Sequence, residues 1–196
     1  MAACPRQSWS PADGSVSSLV RVIVLGEDER HQRFIRRYLH RLGYESRDIR
    51  AVTAPSGRGS AEQWVRQQYS AEVREYRRRS ARKAFALIVA IDADVDDVDR
   101  RTRQLRVALE QAGLTARAAD ESIVHLIPKR NVETWILCLS GRQVDEATDY
   151  KRDENVDRLI KPAALTFFEW SRPNFVPPPY CVPSLSVAVP EVRRLG

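Results

Sequence analysis

The sequence predicts an α/β fold, Rossmann-like, in which a mostly parallel four-stranded sheet is flanked by helices. Three observations lead to this prediction. Short apolar runs alternate with longer amphipathic segments, the runs are rich in β-branched residues, and glycine or proline separates many of the segments. Alternation of strand and helix is typical of parallel sheets, and strands that are apolar throughout are typical of sheets covered on both faces.

The first half of the chain contains two predicted strands. Residues 19–25 (LVRVIVL) form the first, and a helix over 27–41 follows, ended by Gly43. Residues 49–54 form the second strand. A loop rich in glycine and serine comes next, and a long helix is predicted over 60–83.

Two further strands are predicted in the second half. Residues 85–91 (FALIVAI) form the clearest strand of the sequence, and a helix over 97–112 follows. Residues 123–127 form the fourth strand. Asn131 is expected to cap the next helix, which continues to residue 139.

The apolar pattern becomes weaker beyond Gly141 and predicts a less regular C-terminal helical extension. A short helix is expected over 162–171, and a last helix over 184–195 that Pro190 would shorten. We therefore divide the chain into a flexible N-terminal segment (1–18), a domain (19–141) and an extension (142–196) that packs on the same domain.

The composition favours a negatively charged partner. The chain has 196 residues, enough for one domain with a real core, and its formal net charge is +6. Nucleic acid is the commonest acidic partner of a basic protein. Three cysteines without a CxxC spacing argue against a disulfide framework or a zinc site. The absence of a signal peptide or a long apolar run predicts a cytoplasmic protein with no membrane partner.

Carboxylates follow two of the predicted strands. Glu27 comes directly after the first strand, and Asp92 and Asp94 come after the third. Since ligands bind at the carboxyl ends of parallel strands, these three residues could face one another there. Clustered carboxylates repel one another unless a cation lies among them, and Mg²⁺ or Mn²⁺ is the expected cation. The neighbouring acids are expected to stabilise the starts of helices and not to bind a metal. These acids are Asp28, Glu29, Asp96, Asp97 and Asp99.

These residues resemble the pattern of Toprim domains, which have a glutamate after strand one and a DxD motif after strand three. The matching stretches are residues 22–27 (VIVLGE) and 88–94 (IVAIDAD). Residues 127–137 (IPKRNVETWIL) are similar to a segment of nuclease-type Toprim domains. Those include the OLD (overcoming lysogenization defect) family and relatives in bacterial anti-phage defence. The resemblance covers roughly residues 20–139.

The resemblance implies a Toprim-like catalytic domain over 19–141 and a metal-dependent endonuclease acting on DNA or RNA in anti-phage defence. It implies an ATPase sensor subunit as partner, and a homodimer is a further arrangement to consider. Asp28 stands where the family has glycine, which leaves Glu29 as an alternative to Glu27. The implied roles are metal ligand or general base for Glu27, metal ligand for Asp92 and Asp94, second-metal ligand for Glu133, and phosphate contact for Lys129 or Arg130.

Other basic residues are candidates for non-specific contacts with phosphates. They lie in two predicted helices, and a solvated helix face is the alternative interpretation. The candidates are Arg30, Arg78, Arg79 and Lys83.

Two other functions fit parts of the pattern. In a response-regulator receiver, Asp92 would be the phospho-acceptor, but a receiver needs a lysine after a fifth strand, and the sequence predicts no strand after Gly141. A receiver also does not require Glu133 with its basic lead-in. The other alternative is a catalytically inactive Toprim-like subunit that binds nucleic acid and does not need its acids.

Overall fold

A computed structural model describes residues 21–55, 60–81, 84–94 and 96–195. Its four-stranded sheet is parallel throughout, in the order β2-β1-β3-β4. The α/β class and the parallel four-stranded sheet are therefore confirmed. The strands are β1 (Val22–Gly26), β2 (Ile49–Thr53), β3 (Ala86–Ala90) and β4 (Ile123–Leu126).

Helices cover both faces of the sheet. One face packs against α1, α4, α5 and α6, and the other packs against α2 and α3. This two-sided cover is why the inner strands β1 and β3 are buried along their whole length. The helices are α1 (Glu29–Arg41), α2 (Ala61–Ser80), α3 (Val98–Gln111), α4 (Val132–Leu139), α5 (Val156–Trp170) and α6 (Pro183–Glu191).

The helices that follow the strands begin with capping side chains. Asp28, Ser60, Asp97 and Asn131 each accept a hydrogen bond from the backbone N–H three residues later. Such a cap satisfies one of the free N–H groups of the first turn and contributes about 1 kcal/mol. The predicted capping by Asn131 is confirmed, and Asp28 and Asp97 lie at helix starts as expected. Because each of these helices follows a strand, all four starts lie at the carboxyl edge of the sheet.

The helix predicted to begin at Pro162 begins earlier, at Val156, and that prediction was wrong. Proline has no N–H, so a proline inside a helix costs one backbone hydrogen bond. In α5, both Pro162 and Arg158 are exposed. The Arg158 carbonyl, which would accept the hydrogen bond that Pro162 cannot donate, therefore lies near solvent. The apolar stripe from Val156 to Trp170 stabilises the helix through burial.

The C-terminal extension completes the core on one face of the sheet. Phe167 of α5 is fully buried, with ring centroids 5.5 Å from Phe34, 5.0 Å from Tyr38 and 6.4 Å from Trp135. These rings belong to α1 and α4, so residues 142–195 pack directly on the sheet domain. The predicted segment 1–18 lies outside the described residues. No helix in the described part of the chain has the length and apolarity that a membrane span requires.

Candidate active site

The carboxyl ends of β1 and β3 meet at the point where the strand order reverses. From β1 the chain continues to β2 on one side and then crosses to β3 on the other. Open α/β sheets bind ligands in the crevice at such a point. Glu27 follows β1 directly, and its Oε1 accepts a hydrogen bond of 2.8 Å from the backbone N–H of Asp92, just beyond β3. The two residues therefore lie together at the sheet edge.

A lysine from the C-terminal extension interacts electrostatically with all four predicted metal ligands. Although partial desolvation opposes the shift, the negative charges of Asp92, Asp94, Glu133 and Glu27 raise the pKa of Lys151. Lys151 forms no direct ion pair with a described acid, so it acts on the four carboxylates through longer-range electrostatic attraction. Lys151 was not singled out by the sequence, since nothing in the irregular segment between α4 and α5 indicates where it folds.

Two of the acids are buried and have raised pKa values. Burial, followed by the negative charge of Asp92, raises the pKa of Glu27 to about 7 from its ordinary 4.5. Burial also raises the pKa of Asp92, which is only 1% exposed. Two carboxyl groups in one desolvated crevice do not ionise together easily. Glu27 can therefore gain or lose a proton near neutral pH.

Asp94 lies in a strained turn beside these two residues. Its φ of 55° is in the left-handed region, which side chains other than Asn and Asp rarely adopt. Strained backbone of this kind is concentrated at functional sites. The half-buried Asp94 adds negative charge that contributes to the raised pKa of Glu27.

A buried histidine holds Asp92 in place. His31 lies in the first turn of α1, with Nε2 3.0 Å from Asp92 Oδ1 and Nδ1 3.0 Å from Asp28 Oδ1. Although complete burial opposes it, the charge of Asp92 and the hydrogen bond to Asp28 raise the pKa of His31 well above 6.5. A protonated His31 donates from both ring nitrogens, one to each carboxylate. The sequence offered no signal for His31 beyond its position three residues after the capping Asp28.

Within the described part of the chain, only one of the two carboxylate oxygens of Glu133 accepts a hydrogen bond. Its Oε1 accepts a hydrogen bond of 2.6 Å from Arg30 Nη1, which also donates to the Lys151 carbonyl at 2.9 Å. The second oxygen, Oε2, is buried and has no hydrogen-bond partner among the described residues. A buried carboxylate oxygen without a donor is costly. Arg30, predicted as a phosphate contact, is instead paired with an acid of the site.

The loop before α4 contains the other predicted cations. Lys129 donates through Nζ to the Asp96 carbonyl, and its backbone N–H donates to Ser184 Oγ at 3.2 Å. Arg130 is half-buried and forms no ion pair or hydrogen bond with any described residue. Glu29, the alternative ligand, is exposed in the first turn of α1. Glu27 rather than Glu29 therefore lies with the other acids.

The predicted basic patch of α2 lies at the opposite edge of the sheet. Arg78 and Arg79 both pair with Glu75 in the last turns of the helix. The 20 residues of α2 rise about 30 Å from the carboxyl edge, where the helix begins. These two arginines are consequently far from the acids, and Lys83 lies outside the described residues.

The donor set fits a hard cation in its chemistry. Within the described ranges, no three His, Cys, Asp or Glu side chains are arranged to hold a metal ion as they stand. The negative charge of the four predicted metal ligands is balanced instead by the positive charges of Lys151, His31 and Arg30. Carboxylate oxygens are nonetheless the ligands that Mg²⁺ and Mn²⁺ prefer. The unpartnered Oε2 of Glu133 and the raised pKa of Glu27 are features that a divalent cation would relieve.

The metal-free protein is expected to lose stability as the pH rises from about 5 to about 8. The pKa of Glu27 is higher in the folded state, about 7, than its ordinary 4.5, so the folded state binds more protons between these values. The raised pKa of His31 acts in the same direction. The Glu27 shift alone corresponds to roughly 3 kcal/mol. Urea unfolding at both pH values, in the presence of a chelator, measures the loss.

The Glu27→Gln variant should lose less stability over the same pH range, because glutamine does not titrate. Glu29→Gln, at an exposed position two residues later, is the matched control and should behave as the unchanged protein does. An equal loss in the unchanged protein and in Glu27→Gln would contradict the assignment.

Replacing Lys151 by methionine is expected to tighten the binding of Mn²⁺ by roughly tenfold or more, because a competing positive charge leaves the carboxylates. Calorimetric titration with MnCl₂ measures the change. The control is Lys161→Met, which removes an exposed lysine on α5. Weaker binding by the Lys151 variant would show that the ammonium does not compete with the metal.

The resemblance to Toprim nucleases rests on the three sequence stretches, and the placement of the acids rests on the structure. Searches against family models, curated proteins and solved structures found no match to this chain.

Proposed function

We propose that this chain is a divalent-metal-dependent nuclease of the Toprim type that hydrolyses phosphodiester bonds in DNA or RNA. The observation that carries the proposal is the meeting of Glu27 and Asp92 at the carboxyl edge of the sheet, where Glu27 Oε1 accepts a hydrogen bond of 2.8 Å from the Asp92 backbone N–H. Asp94 and Glu133 follow β3 and β4 at the same edge. Buried acids with shifted pKa values in a crevice are candidates for catalytic work. The same four acids are those that the Toprim resemblance implies.

In this proposal, Asp92 and Asp94 would hold a Mg²⁺ or Mn²⁺ ion together with Glu27, and Glu133 would contribute to a second ion. A divalent cation supplies positive charge for a phosphoryl oxygen and lowers the pKa of a bound water. Glu27 would act either as a ligand of the cation or as the general base that accepts a proton from the attacking water.

The remaining residues position these groups. His31 orients Asp92, and Arg30 orients Glu133, through the hydrogen bonds described above. In the proposal, Lys129 or Arg130, on the loop before α4, contacts a phosphate of the substrate. A cytoplasmic location, an ATPase sensor subunit and a role in anti-phage defence belong to the proposal through the resemblance alone.

A phospho-acceptor role for Asp92 has less support. The side chain is 1% exposed, and His31 occupies one of its oxygens. The described residues also contain no fifth strand that would supply a receiver's lysine. Labelling of Asp92 by a small phosphodonor would favour that role.

The first test is cleavage of plasmid DNA and of structured RNA by the purified chain with Mg²⁺ or Mn²⁺. We expect cutting that requires the metal and stops with a chelator. Calorimetric titration of the same preparation with MnCl₂ gives a readout that does not depend on activity. A chain that neither binds the metal nor cuts either substrate would rule out the proposal.

A further inference from the structure

A groove with a basic lining lies between α2 and α3, on the face of the sheet covered by these two helices. Its volume is about 730 Å³. Four arginines, four glutamines and one serine contribute to its walls, and no Asp or Glu of the described residues lines it. The arginines are Arg66, Arg100, Arg103 and Arg106.

Three of the four arginines of this groove are exposed. Arg103 is exposed and forms no ion pair with any residue that the structure describes. Arg106 pairs at 3.0 Å with Glu110, and both side chains are exposed, so this pair contributes little free energy and a phosphate can replace the carboxylate at small cost. Arg100 is exposed and pairs at 3.0 Å with the largely buried Asp96, and the half-buried Arg66 pairs with Glu62.

The groove begins at the carboxyl edge of the sheet, where α2 and α3 start. Gln104, which lines it, donates to Asp96 Oδ2 at 3.0 Å. The neighbouring Arg101 is 3% exposed and donates to the backbone carbonyl of Asp92 at 3.0 Å and to that of Ala93 at 3.1 Å. The start of α3 thus joins the wall of the groove to the turn that follows β3. A chain that leaves the groove at this edge would pass over the strand ends to reach the acids, which lie beside α1 and α4.

We propose that the groove between α2 and α3 binds the sugar-phosphate backbone of a nucleic acid and directs it to the carboxylate cluster. The guanidinium fork matches the geometry of phosphate oxygens, and glutamine amides can donate to phosphates and sugars. The choice of nucleic acid as ligand rests on the proposed function, whereas the binding surface can be tested without cleavage.

This surface differs from the one that the sequence indicated. Arg78 and Arg79 lie at the far end of α2 and share Glu75 as partner. A nucleic acid bound there would not reach Asp92. Replacing Arg103 and Arg106 of the groove should therefore weaken binding, whereas replacing Arg78 and Arg79 should not. Both changes remove the same charge, so the second is a matched control.

The test is a titration in which fluorescence anisotropy measures the binding of labelled DNA and RNA oligonucleotides of about 20 nucleotides at several salt concentrations. A chelator is present, so that cleavage does not interfere. Arg103→Glu/Arg106→Glu is compared with Arg78→Glu/Arg79→Glu, which changes the net charge equally. Arg103→Gln/Arg106→Gln serves as a milder variant if the first does not fold.

We expect the groove variant to bind about tenfold more weakly or worse and to show a shallower dependence on salt, because fewer counterions are released. The control should bind nearly as the unchanged chain does. Equal losses in the two variants, or no binding by the unchanged chain, would overturn the proposal. Binding through the groove without cleavage would count against the nuclease alone, and cleavage unaffected by the groove variants would count against the groove alone.

Discussion

Changing Asp92 to asparagine is expected to lower the rate of metal-dependent cleavage about a thousandfold, equivalent to roughly 4 kcal/mol of transition-state stabilisation. Asparagine keeps the size of the side chain and one oxygen near His31, but it removes the negative charge. Initial rates of plasmid or RNA cleavage at saturating Mn²⁺ measure the effect. A smaller loss at saturating metal than at low metal would assign part of the effect to metal affinity.

The control for this prediction is Asp99→Asn. Asp99 is an exposed acid in the first turn of α3, outside the cluster. Its variant carries the same change in charge and should retain nearly full activity. Comparable rates for the Asp92 and Asp99 variants would mean that Asp92 does not take part in the reaction. Circular dichroism and thermal unfolding of both variants separate lost chemistry from lost structure.

Changing Phe167 to alanine is expected to lower the free energy of unfolding by about 3–5 kcal/mol. The side chain is fully buried between α1, α4 and α5, where it contacts Phe34, Tyr38 and Trp135. Its removal leaves a cavity among rings that cannot close it completely. Urea unfolding monitored by tryptophan fluorescence gives the change, and a loss of several kcal/mol would show that the extension belongs to the folding unit.

The adjacent Phe168 is the matched control. It is only half-buried, at the edge of the same cluster, with its ring centroid 6.5 Å from that of Tyr38. Phe168→Ala should therefore cost clearly less than Phe167→Ala. Equal costs would contradict the assigned packing of α5, and a loss below about 1 kcal/mol for Phe167→Ala would mean that the extension adds little to stability.

The sequence by itself determined the class of the fold and the three acids nearest the strand ends. The inner strands β1 and β3 were visible as apolar runs, because residues buried on both faces leave no polar position. The capping role of Asn131 was visible because a cap bonds to a group only three residues away. Glu27 and Asp92 could be paired in advance because parallel strands end at a common edge.

Only the tertiary structure decided which charges balance these acids. His31 bridges to a residue 61 positions away, and Arg30 reaches Glu133 across 103 positions. Lys151 comes from a segment with no regular pattern, and the start of α5 was hidden by Pro162. The groove between α2 and α3 likewise exists only after both helices pack on the sheet. Local periodicity specifies what each segment becomes, whereas contacts between distant segments depend on how their surfaces fit, and no single stretch of sequence contains that information.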